Sequence, residues 1–250
     1  PGARITSRAG RLVLDGARVA VTDASGGAGG GVTVEASESV VLRDEGRIET
    51  HAVNEVGGHI RIRTPSLVAI APTAIFPTGL VTTAVGEGDG GNIQLLADSI
   101  RLLRGAQVRS STTGDGHGGQ IVLRSDEFIA GGRSLIGVAG GVFSETTGDA
   151  TWGDGGDIRV DAHRGLVRDG AVVGTVSLSN GLGGNIAVAG GSFDIRDGGL
   201  VQANTRGSGP GGAVRIDLRG GLSMWVSPRP PGDNTPPPPT GIRTDSGPYT

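Results

Sequence analysis

An all-β fold, a single-stranded right-handed parallel β-helix of about seven to eight three-strand coils, is what this 250-residue sequence predicts. Three observations carry that reading. A Gly-Gly pair, then any residue, then Ile or Val, recurs seven times, opening at Gly29, Gly57, Gly90, Gly118, Gly155, Gly183 and Gly211. The spacings are 28, 33, 28, 37, 28 and 28, so the unit is 28 residues with additions in two copies. Beyond each pair, aliphatic residues alternate with mostly polar ones at period two, which is the pattern of a strand with one face inward. A helical reading fails, because glycine at this density costs up to about 1 kcal/mol per interior position.

Each element follows from the pattern. The first strand opens with Val32, Ile60, Ile93, Ile121, Ile158, Ile186 or Val214, and two residues on comes Val34, Ile62, Leu95, Leu123, Val160, Val188 or Ile216. The next inward position is mostly small (Ala36, Thr64, Ala97, Ser125, Ala162, Gly190), as a tight corner requires; Leu218 is the exception. Two more short strands are expected per unit, at Ile100–Leu103 and Ala106–Ser111 in the Gly90 copy. Val108 has counterparts in Ile48, Val173 and Val201. The third strand tends to end in Ser and Thr before a Gly-rich turn. Such short strands cannot bury their apolar faces alone, so coils must stack with equivalent residues superposed. At about 4.8 Å per coil the stack makes a rod some 35 Å long. Residues 2–28 read as a degenerate further coil, with Arg11–Val19 as its second and third strands. One continuous β-helix over 1–250 is expected, part of a longer protein, with a Pro-rich loop insertion at 227–240 in its last coil.

Composition removes several function classes. The chain has 49 Gly and 13 Pro, only four Phe, two Trp and one Tyr, and no Cys, which excludes disulfide scaffolds, zinc-thiolate sites and Cys enzymes. All 22 basic residues are Arg and the net charge is −3, which argues against an electrostatic grip on nucleic acid or anionic lipid. No apolar run reaches the roughly 18 residues that span a bilayer, and no signal peptide is visible.

No cofactor or metal motif stands out. Asp89, His117 and Asp154 precede three consecutive Gly-Gly pairs and fall in one column, but the dense nonapeptide repeat of calcium-binding rolls is absent. His51, His59 and His163 show no shared spacing and read as surface residues. The outward column of the first strand is Glu35, Arg63, Leu96, Arg124, Asp161, Ala189 and Asp217. It predicts inter-coil pairs Glu35–Arg63 and Arg124–Asp161 rather than clustered carboxylates for acid-base work. Asp161, beside Arg124 and Arg159, is the best catalytic candidate, and the chain is read as a non-enzyme.

Insertions are where a solenoid carries function. Three are expected at one corner, between the second and third strands: Ala71–Thr78 with Ile75 and Phe76, Gly131–Gly140 with Leu135 and Ile136, and Ser227–Thr240 with Arg229. Added residues near Trp152 follow a third strand. These side chains are the candidate partner-binding positions. The polyproline run Pro236–Pro239 reads as a stiff spacer.

The run GGNIQLLADSIRLLRGAQVRSSTTGDGHGG (Gly90–Gly119) and the similar copies at Gly183–Gly212 and Gly29–Gly58 resemble the passenger repeats of filamentous haemagglutinin-like exoproteins of two-partner secretion systems. The resemblance covers nearly the whole chain, and its motif positions are core and turn positions. It implies a right-handed β-helix, export through a partner outer-membrane β-barrel recognised by a part of the parent outside this chain, and an adhesive or surface-layer role outside the cell. The ligand would be a surface glycan or protein. A carbohydrate-active β-helix enzyme or a phage tail fibre is the alternative.

Overall fold

A computed structural model describes residues 4–23, 30–71, 76–147, 152–227 and 239–246. Among them there is no helix, and so none long and apolar enough to cross a membrane. All strand pairings are parallel, in two sheets of eleven and eight strands. The fold is a parallel β-helix.

First and second strands form the larger sheet. In five coils they run on as one element: β1 (Arg4–Asp15), β3 (Gly31–Arg43), β11 (Ile121–Gly131), β13 (Ile158–Arg168) and β15 (Ile186–Arg196). In three they are separate: β5 (His59–Arg63) with β6 (Ser66–Ile70), β8 (Ile93–Leu96) with β9 (Ser99–Leu103), and β17 (Val214–Leu218) with β18 (Leu222–Trp225). Two short strands were expected everywhere; only these coils break at the bend. In the first of them Pro65 sits at the break and lacks the N–H a ladder needs. The third strands make the second sheet: β2 (Arg18–Asp23), β4 (Arg47–Val53), β7 (Gly79–Val85), β10 (Gln107–Thr113), β12 (Gly141–Thr147), β14 (Val172–Ser177), β16 (Leu200–Thr205) and β19 (Gly241–Ser246). The degenerate first coil is therefore present as β1 and β2, paired with β3 and β4.

Between the sheets runs a continuous aliphatic core. Val32, Ile60, Ile93, Ile121, Ile158 and Ile186 stand in direct register and are buried. Facing them, Ile48, Leu80, Val108, Val142, Val173 and Val201 form a second buried column on the third strands. One rung is irregular. Phe128, Gly165 and Phe193 share a column, and a methyl on Gly165 would run into the Phe193 ring.

The Gly-Gly pairs are a steric necessity. A methyl on the second glycine (Gly58, Gly91, Gly119, Gly156, Gly184 or Gly212) would collide with a carbonyl oxygen of the coil before it. Their carbonyls are served from inside. Thr50 donates to Gly58 O (2.7 Å), Thr82 to Gly91 O (2.8 Å), Ser144 to Gly119 O (2.7 Å) and Thr175 to Gly184 O (2.7 Å). That is why the third strands carry Ser and Thr on an inward face: the corner's buried acceptors need donors, and leaving them unmet costs about 1–3 kcal/mol each.

Candidate functional site

The corner between second and third strands is normally a tight turn. Arg104–Gly105 (φ 54° and 94°), Asp169–Gly170 (54° and 76°) and Asp197–Gly198 (50° and 84°) each supply two consecutive left-handed residues. This is the geometry of a type I′ turn. Two coils replace the turn with the insertions 71–78 and 131–140, and a third with 227–240. The strand that re-enters afterwards begins with Gly79, Gly141 or Gly241 (φ 138°, 136° and 146°), in register with Arg47, Gln107, Val172 and Leu200 of the uninserted coils. Only glycine visits that backbone region readily. These three glycines were legible in the sequence as the mark of an insertion and were not read that way.

The 131–140 insertion is an ordered hairpin. Arg133 and Ala139 bridge in antiparallel fashion. Ser134 N–H donates to Val138 O (2.9 Å), Gly137 N–H to Ser134 O (2.9 Å) and Arg133 Nη1 to Gly137 O (3.0 Å). Its base lies against both neighbouring corners, because Ser134 sits beside Gly105 and Arg133 beside Gly170. Leu135 and Ile136 occupy the tip, 82% and 59% exposed. Phe76, 55% exposed, has the Arg47 guanidinium 5.5 Å over its ring, and Thr78 Oγ1 accepts the Glu45 N–H (2.9 Å). So Phe76, Leu135 and Ile136 fall at one corner of the rod, on the third and fifth coils. Trp152, 70% exposed, does not join them; it lies on the connection from β12 to β13, at the corner between third and first strands. Ile75 and Arg229 lie outside the described residues.

The Asp89–His117–Asp154 column does stack, and its groups serve the backbone. Asp89 Oδ1 accepts the His117 N–H (2.8 Å), His117 Nδ1 the Asp154 N–H (3.1 Å), and Asp154 Oδ1 the Leu182 N–H (2.6 Å). A parallel column runs through His59, Asn92, Asp157 and Asn185, each taking an N–H of the coil beyond. His59 is thus a surface residue that joins a ladder; it stands two residues past the opening of its Gly-Gly pair, as Asn92, Asp157 and Asn185 do, and that shared offset was legible in the sequence. Partial desolvation, then the charge of Arg61, hold its pKa below the ordinary histidine value. Among the described residues no group of three or more His, Cys, Asp and Glu side chains is arranged to hold a metal ion.

On the outward face of the first strand, Arg124 reaches Asp161 as expected (3.4 Å), with Arg159 on the same carboxylate (2.8 Å). The expected Glu35–Arg63 pair does not form. Glu35 turns to Arg8 of the preceding coil (3.1 Å), because register offers it an arginine on either side. Asp217 is tied to Arg215 (3.3 Å). Each of these carboxylates is held by a guanidinium, which leaves no pair of free acids on this column.

No family model matches the chain, and no curated protein or solved structure is significantly similar to it.

Proposed function

We propose that this chain is a non-catalytic, adhesive segment of a secreted or surface-exposed bacterial exoprotein of the filamentous haemagglutinin-like kind. The observation that carries the reading is the apolar ridge: Leu135 and Ile136 held at the tip of a hydrogen-bonded hairpin, at the same corner as Phe76. Ordering two aliphatic side chains in water brings a folding domain no gain, whereas a partner surface recovers it on contact. A stiff stack with loops on one side displays many weak sites together, and their effects multiply through effective concentration. Export through an outer-membrane β-barrel partner belongs to the same reading and rests on the repeat resemblance.

The test is binding of labelled chain to immobilised cell-surface glycoproteins and to intact cells. Replacing Phe76, Leu135 and Ile136 by Ser should lower binding at least about tenfold while circular dichroism is unchanged, since hot spots are large exposed anchors. Equal binding by the variant overturns the ridge as the contact. The carbohydrate-active alternative draws on Asp126, Asp161 and Asp217 lining one groove. Release of reducing ends from polygalacturonate would put an enzyme in place of the adhesin.

A further inference from the structure

Where the first strand bends into the second, the outer surface is concave. Over the fifth to eighth coils this concavity is a groove of about 900 Å³. Its chemistry differs from that of the ridge. The lining holds three carboxylates (Asp126, Asp161 and Asp217) and the guanidiniums of Arg164 and Arg219, and Asp161 and Asp217 are also held by Arg124, Arg159 and Arg215 beside it, so both signs of charge are present. Alanine is its largest aliphatic residue, and it has no Phe, Tyr or Trp. At its upper end Ser125 Oγ is buried with no hydrogen-bond partner in the protein. The floor at Gly190 and Gly191 is bare by necessity, because a methyl on either would strike a carbonyl oxygen of Ala162 or His163. Asp161, Ala189 and Asp217 stand in register on successive coils. The two carboxylates are therefore about 10 Å apart along the rod, with an open position between them.

From this we infer that the groove is a binding site for a neutral, linear, polyhydroxylated ligand, an oligosaccharide lying parallel to the rod axis. A peptide strand would need a free sheet edge or apolar pockets. Here the backbone groups of β13 are spent in pairing with β11 and β15 on either side, and the groove's lining offers no aliphatic side chain larger than alanine to receive another. A polyanion or polycation meets repulsion as well as attraction. A sugar chain offers hydroxyls that donate to the carboxylates and accept from Arg164 and Arg219. The two-coil spacing of Asp161 and Asp217 suits a repeat of two sugar rings. The inference deepens the adhesive reading by naming a ligand class, yet uses none of the ridge residues.

Titration calorimetry of the whole chain with the β-1,4-linked hexamers of glucose and of mannose, and with hexagalacturonate, tests it. At least one neutral hexamer should bind, and Ala189→Arg should weaken it more than tenfold. That position faces outward, and the same column carries Arg63 and Arg124 in other coils, so the variant keeps its fold. No binding of either neutral hexamer by folded protein, binding of hexagalacturonate alone, or unchanged affinity in Ala189→Arg would each overturn the inference. The Ser variants at Phe76, Leu135 and Ile136 should leave hexamer binding intact, so failure of the ridge and failure of the groove are separately visible.

Discussion

Thr175 shows how much one hydroxyl decides. It is buried, and its Oγ1 donates to the Gly184 carbonyl at 2.7 Å. Thr175→Val keeps the shape and removes the donor, so a buried acceptor loses its partner. We expect a loss of about 1–3 kcal/mol, read as a lower urea midpoint with an unchanged slope. His59 supplies a pH dependence. Its Nδ1 accepts the Asn92 N–H at 3.1 Å, which requires that nitrogen to be unprotonated. Its folded-state pKa lies below the unfolded value of 6.5, so the unfolded chain binds the proton more readily. Stability is then fully present above about pH 6.5 and is lost as pH falls through that value towards the lower folded pKa. In His59→Asn, which borrows the residue of the next coil, the urea midpoint should fall less between about pH 7 and pH 5 than in the parent. Parallel pH profiles for the two proteins would refute the assignment.

At the scale of the element, alternation places each strand, and the exceptions mark where neighbours intrude. Gly165 sits in a second strand between Phe128 and Phe193. It weakens the strand locally, yet the space it leaves is filled by the Phe193 ring. Gly165→Ala should destabilise by roughly 1–3 kcal/mol through overpacking, and Gly165→Val by more; thermal unfolding by calorimetry reads both. Restoring the parent Tm by combining Gly165→Ala with Phe193→Leu would locate the clash on that ring. The sequence shows a glycine in a strand. The offset of ten residues from the pairs at Gly118, Gly155 and Gly183 puts the three in one column, but it does not show that the Phe193 ring, rather than that of Phe128, fills the space beside Gly165. The aliphatic columns were legible because each is repeated in every coil, so one register explains all of them.

For the whole molecule, the stack is nearly one-dimensional and each coil touches only its neighbours. Deleting residues 29–56, one 28-residue unit, sets the first-strand aliphatics Ile60 and Ile62 over β1 with the alternation intact. The shortened chain should fold, with the same circular dichroism per residue. Deleting instead the single residue Thr33, inside β3, moves inward side chains to the solvent face of that strand and should leave a chain that aggregates or stays unfolded. Equal behaviour of the two deletions would contradict the stack. At the other end, β18 has Leu222, Met224 and Trp225 exposed, and Trp225 lies under the Arg196 guanidinium at 5.1 Å.

The amino-acid sequence by itself determined the fold class, the coil length, the inward aliphatics and the corner at which insertions fall. All of these follow from a period, and a period is a local property repeated until it is unmistakable. Tertiary structure alone decided which arginine Glu35 meets, that His59 joins a ladder, that hydroxyls serve the glycine carbonyls and that the bend opens a groove beside Asp161. Those outcomes depend on which neighbour within a column a side chain turns to and on how the bend shapes the surface, and aligned columns decide neither.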